Sequence, residues 1–398
     1  MVVHPFQLGI TKAEFEQRSK KLADYVVEQG ASGVILFDTD YILYYTGFKF
    51  IPTERPMAFV MNQSGECGLF VPRLELEHAR SHAVVDQVVH YIEYPDMPHP
   101  AQILQKMIWD MGVSGEIFAD SDGYPWVFGY RGPSLTEQGF SVKNPRPFIE
   151  DVMAIKSEAE IDLLKESSRW ANLAHRLLQR YTVVGATETS VDQRASQEAT
   201  AAMLDAIGPV YRAQNAVYGA VAGYRGQIGR NAAIPHALSN NIVFEKGDVL
   251  VTGATAGVWG YVSELERTMF LGEPTDDQKR YFDHMVALQD LAIAAIEPGK
   301  PCAQVDREVR AYFEKHDLTQ YWKHHTGHTI GIRYHEGPFL DIGDETIIRP
   351  GMVFTVEPGI YVPSVGGFRH SDTVVVRDDG VEMITYYPRD LKSLILPA

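Results

Sequence analysis

The tetrapeptide Asn144-Pro145-Arg146-Pro147 limits what this chain can fold into more than any other feature. Two prolines within three positions remove two backbone donors and push the residues before them toward extended conformations, which predicts a linker. The patterns on its two sides differ. Before it, Thr11-Lys12-Ala13-Glu14 has capping-box spacing and opens a helix that ends before Gly30. Val34-Ile35-Leu36-Phe37 follows as a buried strand, then the run 41–45 closed by Thr46-Gly47, then Ala58-Phe59-Val60 and Gly68-Leu69-Phe70-Val71. Helix alternating with strand predicts a small α/β domain over residues 1–150.

After the prolines, Ser157 and Glu160 form a second capping box. They open a helix with Ile161, Leu164, Ala171 and Ala174 on one face. Further helices are expected near 190–204, 276–296 and 303–315, with strands at 249–251, 261–270, 353–356 and 373–376. Helices gathered against an antiparallel sheet make residues 155–398 an α+β domain. Two domains also suit 398 residues, since one hydrophobic core rarely grows that large.

Charge narrows the partners. Asp and Glu outnumber Lys and Arg by 52 to 36, a formal charge of −16, which repels nucleic-acid phosphates and anionic lipids, so neither is an expected partner. Cys67 and Cys302 sit in no metal-ligand spacing, which excludes a disulfide framework and predicts a reducing compartment. Met1-Val2-Val3-His4-Pro5 lacks the basic-then-apolar order of a signal peptide, and no apolar run reaches the roughly 18 residues of a membrane span. A cytoplasmic protein is expected.

Four segments of the C-terminal half concentrate His, Glu and Gly: Pro235-His236, Gly260 to Thr268, His324 to Pro338, and Val356-Glu357-Pro358-Gly359 with Gly366 to Asp372. On a strand, Glu264 and Glu266 point to one face. Such a pair repels unless a cation lies between the carboxylates or one stays protonated. Each feature also has a plain structural alternative. The Glu pair can be a solvated face, His236 a packed histidine, His324-His325 a surface turn, His335-Glu336-Gly337-Pro338 a loop brace, and Glu357 the cap of a bend.

Taken together, the segments resemble the creatinase/aminopeptidase superfamily and its pita-bread catalytic domain. The likeness rests on Tyr45-Thr46-Gly47-Phe48, Ile155-Lys156-Ser157-Glu158, Gly327-His328, His335-Glu336-Gly337-Pro338 and Gly351-Met352-Val353-Phe354-Thr355-Val356-Glu357-Pro358-Gly359. It implies a creatinase-like N-terminal domain followed by the pita-bread domain. Metallopeptidases of that superfamily hold two divalent metals with two Asp, one His and two Glu. Here the resemblance places Gly253, Glu264, His328, Glu357 and Ser371 at those positions. Two carboxylates are missing and a third is lengthened, so no metal and no other cofactor is expected.

Within the metal-free branch, the segment from Gly260 to Phe270 is most similar to ectoine hydrolases, which open a cyclic amidine to an N-acetylated diaminobutyrate. The resemblance implies a small zwitterionic amidine as substrate and a homodimer. Glu264 is the expected nucleophile on the amidine carbon, and Glu357 the residue that holds the ring nitrogens or activates water, with these two roles open to exchange. His236 and His328 are the expected proton shuttles. Glu266 and His335 are expected at the substrate, Arg369 as the anchor of its carboxylate, Trp259 and Tyr261 as walls, and Phe48 as a residue supplied by the second subunit or, alternatively, a core residue. The competing expectations are a creatinase-like hydrolase of guanidino acids, a divergent prolidase-like metallopeptidase with one retained metal, and a binding module without activity.

Overall fold

Capping chemistry sets the helix starts. Thr11 accepts from the backbone N–H of Glu14, and Ser157 and Glu160 complete both halves of their box ahead of the helix Glu158–Tyr181. In that helix Ile161, Leu164, Ala171 and Ala174 are all fully buried. The computed structural model describes residues 8–93, 98–125, 132–208 and 219–398. The Met1-to-Pro5 stretch used above lies outside them.

Two compact units result, one spanning Ile10–Val152 and one containing Met153–Ala398. The first is built on a six-stranded mixed sheet in the order Gln87–Tyr91, Cys67–Pro72, Ala58–Asn62, Gly33–Leu36, Glu116–Ala119, Ser141–Lys143. Ile35, Val60, Phe70 and Ile117 on its strands pack with Leu104, Met107 and Ile108 of the helix Pro100–Asp110. The run 41–45 belongs to a helix, Thr39–Thr46. Its signals are local: Asp38 caps its N-terminus and Gly47 closes it in a left-handed conformation (φ 70°). Burial on every side hides its period.

The expected linker is instead the start of a helix, Arg146–Ala154. Pro147 falls in its first turn, where no intrahelical N–H bond is lost.

In the second unit the remaining helices run Glu188–Ile207, Asp276–Ala295 and Cys302–Lys315. A five-stranded, wholly antiparallel sheet has the order Glu336–Leu340, Gly327–Thr329, Val353–Val356, Asp372–Arg377, Gly380–Met383. This is the α+β arrangement expected. Cys67 and Cys302 are both buried and unpaired. No helix among the described residues is long and apolar enough to cross a membrane.

The strand expected over 261–270 is present only as Thr268–Leu271. The residues before it change partners: Leu265 bridges Ala254, and Glu266 bridges Ser371. This threading still alternates side chains. Glu264 and Glu266 face one cavity, while Leu265 between them is buried and Arg267 after them is buried on Asp372 at 2.8 Å and on the carbonyls of Tyr387 and Pro388.

Candidate active site

The register of the large sheet builds the site. Val356 pairs with Asp372, and Gly359 pairs with Arg369 in the hairpin of Gly359–Val362 and Gly366–Arg369. The two ladders are interrupted at Glu357-Pro358 and His370-Ser371, so Glu357 and Ser371 stand opposite each other where the backbone pairing lapses. His328 comes from the adjoining strand. A Cβ at Gly327 would lie 2.0 Å from the Thr355 carbonyl oxygen, so only glycine lets that strand approach so closely.

A cavity of about 800 Å³ is lined by Glu264, Glu266, Glu357, His236, His335, Arg369, Arg225 and His324, with Asp192 on its helical wall. His328 has no exposed surface and touches the site through Glu357, with Nε2 at 3.2 Å from Oε1. Its Nδ1 donates to the Thr329 carbonyl at 3.0 Å, which fixes the ring, and the His335 ring stacks on it at 3.8 Å.

The carboxylates are pushed apart in acidity. Burial, then the charges of Glu357 and Glu266, hold Glu264 well above the usual carboxylate range. Burial also raises Glu357, but His328 and Arg369 outweigh it and keep Glu357 ionised well below that range. Burial opposes the His328 charge, yet Glu357 and Glu264 raise its pKa to about 9. His335 is lowered to about 4 by desolvation and by the neighbouring His328 charge.

Several expected roles are corrected. Arg369 is not available to a substrate carboxylate, because it is buried and all five of its N–H donors are engaged. Nε and Nη2 grip both oxygens of Glu266, Nη1 donates to Tyr361 Oη at 2.8 Å and the Pro235 carbonyl at 3.4 Å, and Nη2 also reaches Gln227 at 3.4 Å. A buried guanidinium must be satisfied in this way. Glu266 is correspondingly committed to Arg369 rather than free to fix an amidinium. Tyr261 is no cavity wall: its hydroxyl donates to Glu160 at 2.7 Å and braces a helix start. Trp259 is also away from the cavity lining, with its ring beside Gly9. Phe48 is fully buried in the first unit against Phe50 and His78, as a core residue would be. Glu336 is the brace its motif suggested, tied to buried Lys156 at 2.8 Å, whereas His335 faces the cavity.

Three contributors escaped the sequence. The His324-His325 doublet was visible as a motif, but not the chain in which Arg369 donates to Tyr361 and Tyr361 shares a 2.8 Å hydrogen bond with His324. Arg225 carried no signal beyond standing before a glycine, and Asp192 none beyond its place in a helix.

The donor set tests the implied metals. Three ligand groups converge, Glu264, His328 and Glu357, with one ligand atom of each lying within 4.8 Å of the others. At the other two positions Gly253 offers no ligand, and the Ser371 hydroxyl is turned to Glu264 at 2.7 Å. A Cβ at Gly253 would lie 3.6 Å from Glu266 Oε1, so the Glu266–Arg369 pair stands beside the vacated position. The Arg369 guanidinium is also 3.8 Å from Glu357. Three carboxylates already face two cations, Arg369 and protonated His328. The residues therefore do not fit two divalent ions, while three donors remain that fit one.

Comparison with known proteins decides the family. The metallopeptidase family M24 matches residues 162–378, and the creatinase/prolidase N-terminal domain matches residues 18–122. The chain belongs to metallopeptidase family M24. Its creatinase-like N-terminal domain and pita-bread C-terminal domain are thereby shown, and it is a hydrolase by family. This M24 chain is 25% identical to the Xaa-Pro dipeptidase of Pyrococcus furiosus, over 94% of this chain and 99% of the relative. It is 27% identical to the probable dipeptidase PepE of Mycobacterium bovis, over 96% and 98%. The solved Xaa-Pro dipeptidase from Bacillus anthracis matches with a TM-score of 0.77 at 25% identity, covering 97% of this M24 chain and all of that one. None of these three names ectoine, and their names favour the prolidase-like alternative over the amidine substrate.

Proposed function

We propose that this M24 chain opens the cyclic amidine ring of ectoine by hydrolysis of a C–N bond, without a metal pair, giving an N-acetylated diaminobutyrate. The observation that carries this is the charge arrangement at the former ligand positions. Glu264 is buried and lines the cavity, one oxygen is held by Ser371, and the other has no donor among the described residues. It is a carboxylate short of a cation, and an amidinium supplies one delocalised positive charge with paired N–H donors.

The chemistry follows from that charge. Arrival of the amidinium lowers the pKa of Glu264, and its proton passes to the imidazole of His335 or His236 as the electrophilic carbon comes within reach. Glu264 then forms a C–O bond to that carbon, and the adduct expels one ring nitrogen as an amine after proton transfer from His335 or His236. Water, activated at Glu357 against protonated His328, attacks the same carbon, restores the Glu264 carboxylate and leaves the amide on the remaining nitrogen.

Hydrolysis of an Xaa-Pro dipeptide is the second reading, favoured by the names of the relatives. Glu264, His328 and Glu357 would then hold one divalent ion, which supplies Lewis acidity to a carbonyl. Proton NMR of ectoine with chelator-treated protein separates the two. Ring-opened product is the expected result. Activity on a dipeptide that appears only after divalent metal is restored would replace the first reading with the second.

A further inference from the structure

We infer that Arg225 is the specificity-determining residue of this cavity, binding the carboxylate of the substrate; this deepens the small-zwitterion reading and rests on it. Two arginines line the cavity, and Arg369 has no donor left. Arg225 is the opposite case. Its side chain is 51% exposed, and only Nη2 is engaged, with Gln227 at 3.2 Å and Glu266 at 3.4 Å. Its Nε and Nη1 have no protein acceptor among the described residues. Glu266 is already gripped on both oxygens by Arg369, so Arg225 is not needed to neutralise it.

The backbone points the same way. Arg225 has φ 50° and Gly226 has φ 74°, two consecutive left-handed residues, the first of them not glycine. The loop is pinned from below by fully buried Glu188, which accepts from the Gly226 N–H at 2.5 Å, the Ser239 hydroxyl at 2.8 Å and the Asn240 N–H at 3.2 Å. A buried carboxylate thus holds a disfavoured conformation that presents a guanidinium with free donors to the cavity. The planar fork of such a group matches a carboxylate through two parallel hydrogen bonds, which a lysine ammonium does not reproduce. With Arg225 counted, the cluster leaves one unpaired carboxylate at Glu264 and one underused cation at Arg225, the complement of a zwitterion.

The test compares ectoine with the same cyclic amidine lacking its carboxylate, on wild type, Arg225→Gln and Arg225→Lys, with thermal melts to show that each variant folds. Wild type is expected to prefer ectoine by about 10- to 100-fold in kcat/KM, Arg225→Gln to lose that preference mainly through KM, and Arg225→Lys to keep part of it. Full preference retained in Arg225→Gln overturns the inference and leaves ring opening standing. If wild type instead cleaves Ala-Pro and not ectoine, ring opening falls. The same comparison of Ala-Pro with its C-terminal amide then upholds Arg225 if the preference is lost in Arg225→Gln, and overturns it if the preference is kept. Wild type inactive on both substrates overturns both proposals.

Discussion

The Ser371 hydroxyl donates to Oε1 of Glu264 across 2.7 Å, and both residues stand at positions where the resemblance to two-metal peptidases implies metal ligands. One former ligand position therefore serves the other. The hydroxyl stabilises the ionised form of Glu264 against burial and against two neighbouring carboxylates. Ser371→Ala is expected to raise the Glu264 pKa further and to move the acidic limb of the kcat/KM profile to higher pH, with about tenfold lower activity at neutral pH. An unmoved limb would mean that Glu264 does not titrate in the reaction.

Glu264 also predicts a conflict between stability and activity. The fold holds its proton above the ordinary carboxylate value near 4.5, so above that pH the folded chain binds more protons than the unfolded chain. The contribution of Glu264 to stability therefore falls as pH rises. Glu264→Gln is expected to lose activity by a factor on the order of 10³ while unfolding about 1–3 kcal/mol later than wild type at pH 8, with little difference at pH 4. Urea melts at the two pH values check the sign. A variant less stable at pH 8 would show that the charge is compensated in the fold.

What the sequence revealed depended on range. Ser157 and Glu160 are three residues apart and signal a helix start by themselves. The order of Gly327-His328, Glu357-Pro358-Gly359 and the substituted Gly253 and Ser371 carried the family and the altered ligand set. The fate of Arg369 was invisible, because its partners Gln227, Pro235, Glu266 and Tyr361 come from separate stretches, and no local pattern counts the donors of a guanidinium. Helix Thr39–Thr46 was obscured because residues 41–46 are all buried, which erases the 3.6-residue period. Trp259 and Tyr261, expected as walls, lie close to Glu264 in the chain but not on the cavity, because nearness in sequence does not fix which way a turn faces.

The Arg369–Glu266 pair is buried on both sides, with side-chain exposures of 3% and 6%. Breaking it leaves an almost wholly buried carboxylate with only the 3.4 Å contact of Arg225 as compensation. Arg369→Met is expected to destabilise the protein by about 3–5 kcal/mol, and the double change Arg369→Met with Glu266→Met to recover most of that loss. Chemical denaturation of the single and double variants measures the coupling. Equal destabilisation in both would show that Arg369 acts through Tyr361 and Gln227 instead.

His328 adds a second contribution that is lost as pH rises, this one from a cation held in the fold. Burial alone would lower its pKa, but the contact with Glu357 and the charge of Glu264 raise it from 6.5 to about 9. A raised folded-state pKa means that its contribution to stability is fully present below about pH 6.5 and is lost as pH rises through about 9. The shift corresponds to roughly 3 kcal/mol at most. His328→Asn is therefore expected to be less stable than wild type by about that amount at pH 6, with the gap narrowing steadily between pH 7 and pH 10. Comparing the two proteins at each pH cancels the titration of groups they share. A gap that stays constant to pH 10 would show that His328 is neutral in the fold and that Glu357 draws its stabilisation from Arg369, 3.8 Å away.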